Sequence, residues 1–217
     1  MDSTALFSKT PPLKLFFIAS LPGAVGMLAS SLYQLIDGIL VGNFLDSTSF
    51  AALNLAMPFV IINFSLADLV GVGSSVPISV ALGQNERQKA NNIFTCACFL
   101  IVGAGAVIGA VMFAAAPFLI EMMGAEGEFA AQAVQYLRTY ALCSPFTTIL
   151  YAVDNYLRIS GYIRGSMALN ILMSVLCVGF EFLFLGVFGW GIWAAALGSS
   201  LGMFICVLLA FIPFVRG

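Results

Sequence analysis

The run KLFFIASLPGAVGMLASSLYQLIDGILVG, residues 14–42, is apolar along almost its whole length and decides the fold class. An α-helix needs about 20 such residues to cross the hydrocarbon of a bilayer, so the run predicts a membrane span. It is not a cleavable signal peptide, because it is too long and is followed by further runs of the same kind. Asp37 interrupts this run where an apolar side chain would cost less to bury, which points to a functional acid.

The composition extends this prediction to the whole chain of 217 residues, of which 61% are hydrophobic and 8% are charged. A soluble domain carries about 25% charged residues, whereas the mean hydropathy of this chain is +1.06. We predict an all-α membrane protein with a short cytoplasmic segment, residues 1–13, and a six-helix transmembrane lobe, residues 14–217. The predicted spans are residues 14–42, 50–82, 92–120, 130–157, 165–187 and 191–214.

The basic residues predict the orientation of these spans. Seven of the eight fall on one side of the six-span topology, and the eighth, Arg138, falls within the fourth span. Cytoplasmic loops of membrane proteins carry the excess of Lys and Arg. We therefore expect a multi-pass protein of the cell membrane with both termini in the cytoplasm. The seven residues on the cytoplasmic side are Lys9, Lys14, Arg87, Lys89, Arg158, Arg164 and Arg216.

Missing residue types exclude several classes of activity. The chain has no histidine, which excludes a Ser-His protease and any His-ligated metal or haem. It has no phosphate-binding glycine loop with a lysine, which excludes ATP hydrolysis by that route. Its five cysteines fall within spans, where we interpret them as free buried thiols. We expect no enzyme activity, no cofactor other than a coupling ion, and a lipid bilayer rather than a nucleic acid as partner.

Five ionisable residues fall inside the predicted spans: Asp37, Asp68, Arg138, Asp154 and Glu181. Each costs roughly 3 kcal/mol at the bilayer centre, so each needs a partner, a wet cavity or a function. Polar residues at helical spacing accompany three of them. These stripes are Ser30–Tyr33–Gln34–Asp37, Asn170–Ser174–Cys177–Glu181 and Thr147–Tyr151–Asp154–Arg158.

The first two stripes each place a carboxyl group in the outer half of the membrane. They predict a water-filled cavity that opens outward and holds a site for a cation or a proton at Asp37 and Glu181. The other residues that we expect to line this cavity are Ser30, Gln34, Asp68, Arg138, Asn170 and Ser174.

Structural roles are open for the remaining charges. Asp154 and Arg158 lie one turn apart near the cytoplasmic surface, which predicts a structural ion pair. Asp68 either bonds to Ser65 or the neighbouring helix, or has a function. Arg138 either neutralises an outer carboxylate or extends to the outer interface. Gly105 and Gly109, four residues apart on the third span, predict close helix packing.

Three segments of the chain resemble the MATE (multidrug and toxic compound extrusion) family of transporters. They are LPGAVGMLASSLYQLIDGILVGNFLDSTSFAALNLAMP (21–58), VGVGSSVPISVALGQNERQKA (70–90) and GWGIWAAALGSSLG (189–202). Their order and spacing match across essentially the whole chain, and the similarity is to bacterial multidrug-export members. The resemblance implies one lobe of a twelve-helix, two-lobe fold. It also implies export of cationic or amphipathic small molecules in exchange for H⁺ or Na⁺ by alternating access.

The same resemblance implies roles for particular residues. Tyr33 and Asp37 match a family cation site on the first helix, and Pro22 matches a proline whose bend is linked to protonation. Glu181 stands where the family usually has Asp, and Cys177 stands where it often has Asn. Ser199 keeps the hydroxyl of a family Thr on the sixth helix.

These departures favour a proton over a sodium ion as the coupling ion, although Na⁺ at Asp37 and Glu181 stays open. Hard cations prefer oxygen ligands, and Cys177 supplies sulfur instead. Two carboxyl groups close together in a partly desolvated cavity can hold a proton between them.

Only one lobe of the family fold is matched. We therefore expect a second six-helix lobe as partner, either in the same longer chain or as a second copy in a half-size homodimer. An alternative function is a flippase for lipid-linked precursors, which shares the superfamily fold. A flippase cavity should carry several basic side chains, whereas the spans here hold one Arg against four acids.

Overall fold

Six long helices, connected by short turns, make up the part of the chain that the computed structural model describes, residues 11–215. The fifth continues directly into a turn of π-helix, Phe182–Val187. The helices are α1 (Pro12–Phe44), α2 (Ser47–Gly83), α3 (Arg87–Met122), α4 (Gly127–Ile159), α5 (Ile163–Glu181) and α6 (Trp193–Val215). Six helices thus lie where the sequence predicted six spans. Most of segment 1–13 lies outside the described residues.

The helices extend a few residues beyond most of the predicted limits, because polar residues at the connections add end turns. Asp46 caps the start of α2 by accepting a hydrogen bond from the Ser49 N–H at 2.8 Å. Hydrogen bonds from Ser49 hold the pKa of the Asp46 carboxyl below its usual range. In the connection between α5 and α6, Gly189 has a φ of +62°. This left-handed conformation, which glycine adopts readily, follows the π-helical turn and ends it.

Helix α4 lies at the centre of the lobe, where it packs against α2, α3 and α6, while α1 packs mainly on α5. Helices α1, α2, α3 and α6, and α5 together with its π-helical turn, are long and apolar enough to cross a membrane. Helix α4 is long enough but more polar. Its neighbours bury many of its polar side chains, including Ser144, Thr147 and Thr148.

Two apolar clusters fill the interior, one at each end of the bundle. The first surrounds Leu137 near the α1–α2 and α3–α4 connections, and the second surrounds Tyr156 near the α2–α3 and α4–α5 connections. Gly105 and Gly109 allow α3 to approach α4 closely. A Cβ on Gly109 would lie 2.5 Å from the Ala141 carbonyl oxygen, so the prediction of close packing is confirmed.

Candidate functional site

Two buried carboxyl groups meet between α1 and α5. Asp37 is 7% exposed and Glu181 is 0% exposed, and their side chains lie close enough to interact directly. The Tyr33 hydroxyl donates a hydrogen bond to Glu181 Oε1 at 3.1 Å. Glu181 Oε2 has no hydrogen-bond partner among the described residues. The structure therefore joins the polar stripes of α1 and α5, as the sequence predicted.

Helix α6 closes this carboxyl pair from a third side. The Ser199 side chain lies beside Glu181, although its hydroxyl donates its shorter hydrogen bond to the Ala195 carbonyl, at 2.7 Å. The Cys177 thiol is buried and donates to the Ser199 carbonyl oxygen at 3.4 Å. Cys177 thus bonds to the α6 backbone and leaves the carboxyl pair without the oxygen ligand that an Asn would supply.

Two glycines bring α6 this close to α5. A Cβ on Gly198 would lie 3.0 Å from the Glu181 backbone nitrogen, and a Cβ on Gly202 would lie 2.7 Å from Cys177 Sγ. These glycines are one helical turn apart on the α6 face that contacts α5. Any larger residue would move α6 away from the carboxyl pair.

A cavity of about 690 Å³ opens beside the carboxyl pair, between α1, α2, α4 and α6. Of the residues that the sequence assigned to the site, four line it: Tyr33, Gln34, Asp37 and Ser199. Its walls are otherwise largely apolar and aromatic. The aromatic side chains that line it are Phe50, Phe64, Tyr33, Tyr136, Tyr140 and Tyr151.

The cavity wall has the charge that suits a cation. Asp37 is the only Asp, Glu, Lys or Arg among the described residues that line it. Electron-rich aromatic faces attract organic cations when the ring centroid lies within about 6 Å of the charge. The arrangement can therefore bind a positively charged, partly apolar molecule, and it can hold a small cation or proton at the carboxyl pair.

Tyr136 and Tyr140 are site residues that sequence reasoning missed. Tyr136 lies close to both carboxyl groups, and both tyrosines line the cavity. A signal for them was present, because they continue the polar stripe of α4 toward its start at spacings of four and seven residues.

A buried polar layer between α2 and α4 was also missed. Asn63, which is 1% exposed, donates to Ser144 Oγ at 2.8 Å and to the Tyr140 hydroxyl at 3.4 Å. Asn63 Oδ1 has no partner within residues 11–215. The Thr148 hydroxyl bonds to the Ser144 carbonyl at 2.8 Å. This layer ties the cavity wall of α2 to the central helix.

The predicted ion pair on α4 is confirmed and is part of a larger network. Arg158 Nη2 lies 2.7 Å from Asp154 Oδ2. Asp154 Oδ1 accepts hydrogen bonds from Ser166 and Asn170 on α5, and Arg158 Nε donates to Ser166 Oγ at 2.9 Å. The network holds α4 against α5. It gives the Asp154 carboxylate its partners, so this partly buried charge needs no role in the cavity.

Three further residues of the predicted lining lie elsewhere, which corrects that part of the prediction. Asn170 bonds to Asp154 and packs on Gly26 of α1. Ser174 faces a separate apolar groove between α1 and α5, and Ser30 bonds to the Gly26 carbonyl within its own helix at 3.2 Å. Ser30 and Ser174 satisfy their hydroxyls within their own helices, and Asn170 bonds to α4, so none of the three needs the cavity as a partner.

Arg138 is a further correction, because it points toward α3 instead of the cavity. Its Nε donates to the Phe113 carbonyl at 3.3 Å, and its guanidinium lies 5.3 Å from the Phe113 ring centroid. It therefore neutralises neither of the buried carboxyl groups. The backbone carbonyl and the aromatic face together stabilise a charge within the span.

Asp68 and Pro22 are the remaining residues that the sequence assigned to the site. Asp68 is half-buried on α2, and the Ser65 hydroxyl donates to the Ile61 carbonyl at 2.8 Å instead of to Asp68. The hydrogen bond from Ser65 to Asp68 that we considered is therefore not formed. Pro22 lies inside α1, which continues through it as one helix.

Comparison with known proteins identifies a family. The sequence model of the MatE family matches residues 22–183. The multidrug export protein MepA of Staphylococcus aureus (strain MRSA252) is 29% identical over 221 residues, which cover 97% of this chain and 47% of that protein. MepA of Staphylococcus saprophyticus is 27% identical over 222 residues, which again cover 97% of this chain and 47% of that protein. The chain thus spans about half the length of the curated relatives it matches.

Solved structures share the fold. An outward-facing multidrug resistance MATE family transporter of the MOP superfamily aligns with a TM-score of 0.91 and 28% identity. It covers 100% of this chain, which in turn covers 48% of that protein. A MOP superfamily transporter from Pyrococcus furiosus Vc1, described as having a binding pocket of reversed polarity that suggests a different function, has the same score, identity and coverage.

Proposed function

The chain belongs to the MatE family, and from this we propose that it forms one lobe of a multi-pass membrane exporter that exchanges small organic cations for protons. The observation that carries the proposal is the buried pair of Asp37 and Glu181 at the edge of the aromatic cavity. The protein acts as a transporter and not as an enzyme. This role follows from the family and from its curated relatives, which are named multidrug export proteins.

The nature of the cargo follows from the cavity wall. A cationic or amphipathic molecule fits, because the wall is aromatic and carries one carboxylate. A flippase for lipid-linked phosphates would need basic side chains, and none of the described residues that line the cavity is Lys or Arg. The name of MepA, a multidrug export protein, agrees with the cationic cargo.

Exchange requires that the carboxyl pair load and release a positive charge. Two adjacent buried carboxylates repel each other, so a proton or a cation between them stabilises the pair. In our proposal an entering proton binds between Asp37 and Glu181, with Glu181 Oε2 as an acceptor. The Tyr33 hydroxyl holds Glu181 Oε1 in place. Release of that proton leaves a negative site that favours loading of the next cation.

A sodium ion fits this site less well than a proton. Oxygen ligands would come from Asp37, Glu181, Tyr33 and Ser199, but the neighbouring Cys177 thiol supplies none and bonds to the α6 backbone. Cys177 offers a sulfur, a poor ligand for a hard cation. We therefore propose H⁺ as the coupling ion, with Na⁺ as the alternative that the experiment below separates.

A second six-helix lobe completes the exporter in this proposal. The curated relatives are about twice as long as the chain, and this lobe forms its cavity wall from four helices that leave a wide opening. Alternating access would rock the two lobes around the cavity. The second lobe belongs either to the same longer chain or to a second copy. The basic residues at the α2–α3 and α4–α5 connections support a cytoplasmic position for those ends, as the positive-inside rule predicts.

The test is cation exchange by the complete protein in proteoliposomes. An imposed proton gradient in sodium-free buffer should drive ethidium movement, and Asp37→Asn should reduce it to the level of empty liposomes. Asp46→Asn is the matched control, because Asp46 lies outside the cavity and Asn also caps helices. Undiminished exchange by Asp37→Asn would refute the proposal. Transport by the wild-type protein only under a sodium gradient would show that the coupling ion is Na⁺ and not H⁺.

A further inference from the structure

The cavity-facing side of α2 continues beyond the cavity to an acid. Phe50, Met57, Ile61 and Phe64 line the cavity at spacings of three, four and seven residues, which place them on one face of the helix. The next position on that face is Asp68, one turn beyond Phe64. Asp68 therefore lies on the same face of α2, one turn beyond Phe64, the last residue of α2 that lines the cavity.

Asp68 differs from Glu181 and Asp154 in having no hydrogen-bond or ion-pair partner among the described residues. Within residues 11–215 its carboxylate accepts no hydrogen bond and forms no ion pair, while the nearby Ser65 hydroxyl bonds to Ile61. Asp154, by contrast, pairs with Arg158 at 2.7 Å. An acid on a membrane-spanning helix that lacks any structural partner needs a solvated or ligand-bound surface.

Two aromatic rings stand next to this carboxylate. Phe64 lies one turn away on the same helix, and Tyr151 on α4 lies close enough to Asp68 to interact with it electrostatically. The two rings are in edge-to-face contact, with centroids 4.8 Å apart and an interplanar angle of 70°. Both rings also line the cavity. A carboxylate beside aromatic faces is the surrounding that an organic cation prefers.

We propose that Asp68, Phe64 and Tyr151 form a docking site for the charged group of the exported cation, separate from the ion site at Asp37 and Glu181. This inference rests on the proposed function. Asp68 follows Phe50 by 18 residues, about 27 Å along the helix, and the Phe50 ring faces Gly38 beside Asp37. The charge of the cargo and the coupling ion thus bind at different carboxyl groups, which allows each to be perturbed alone.

The test measures binding of tetraphenylphosphonium, a permanent organic cation, to the purified complete protein by equilibrium dialysis. Asp68→Asn keeps the shape and removes the charge, and should weaken binding at least about tenfold, the factor that corresponds to 1.4 kcal/mol. Asp68→Glu keeps the charge and should stay within about threefold of wild type. Asp46→Asn, in an exposed turn outside the cavity, should bind as wild type does.

A second variant covers the case in which Asp68→Asn yields no folded protein. Phe64→Leu removes the aromatic face and keeps an apolar side chain, and should weaken binding about threefold, which matches a partly exposed cation–π contact. Gel filtration and expression level establish the folded state of each variant.

The outcomes separate this inference from the proposed function. If wild-type protein binds the cation and Asp68→Asn binds it equally well, the docking site is wrong and the exporter stands. Equal losses in Asp68→Asn and Asp68→Glu would also overturn the site, because charge would not be the cause. If wild-type protein neither binds nor exports the cation, the proposed function fails and the docking site fails with it.

Discussion

Replacing Gly202 by Ala tests the close approach of α6 to α5 that shapes the ion site. The new Cβ would lie 2.7 Å from Cys177 Sγ and 2.8 Å from the Cys177 backbone nitrogen, whereas ordinary contacts begin at 3.4 Å. Because one of the atoms is backbone, the helices must separate by roughly 0.6 Å. Overpacking of this kind costs about 1–3 kcal/mol. The higher helix propensity of Ala returns at most about 1 kcal/mol.

Because a backbone atom must move, we take the upper part of the overpacking range, about 2–3 kcal/mol. The net expectation is then a loss of about 1–2 kcal/mol of stability, or an apparent unfolding temperature lower by about 2–8 °C. The assay follows a thiol-reactive dye during heating, in a background where the exposed Cys96 and the partly buried Cys98 and Cys143 are changed to Ala. Cys177 and Cys206 are fully buried and become labelled only when α5 and α6 separate. Gly103→Ala is the matched control. Its Cβ on α3 meets nothing within 4 Å, so that variant should be as stable as wild type or slightly more stable. If Gly202→Ala behaved like Gly103→Ala, the two helices could not be as close as described.

Three further predictions use contacts in or near the site. Tyr33→Phe removes the hydrogen bond to Glu181 and should slow proton-driven exchange several-fold at unchanged protein level; an unaltered rate would contradict the role of that bond. Asp154→Ala leaves the Arg158 guanidinium without its partner at 2.7 Å and should destabilise the lobe by about 2 kcal/mol. An unfolding temperature of this variant equal to that of wild type would contradict the prediction. Asn63→Leu should cost about 1–3 kcal/mol because it leaves Ser144 Oγ unbonded. Adding Ser144→Ala should recover much of that loss, and an additive double variant would speak against the coupling.

Residue pattern alone predicted much of the site. Asp37 and Glu181 were paired from the depth and polar spacing of two helices, and the structure brings them together. Tyr33 was assigned to the same site and forms the hydrogen bond that orients Glu181. Such residues can be found in a sequence because an acid in a membrane span is costly and therefore informative.

The pattern of polar residues gave wrong assignments where the direction of a side chain depends on the neighbouring helix. Arg138 was assigned to the cavity because it is charged and lies within a span, but it bonds to the Phe113 carbonyl on α3. Asn170 was assigned there from its stripe, but the Asp154 network on α4 holds it. A stripe defines one face of a helix, whereas the partner of that face is defined only by packing.

The sequence by itself determined the six spans, their polar faces and the uneven distribution of basic residues, since these follow from transfer energies and helical period. Only the tertiary structure decided that α4, the most polar helix, occupies the centre of the lobe, where protein replaces lipid around its charges. It also decided that Gly198 and Gly202 bring α6 against α5, and that tyrosines of α4 complete the cavity. These features depend on contacts between residues far apart in the chain, which a local pattern of polar and apolar residues does not encode.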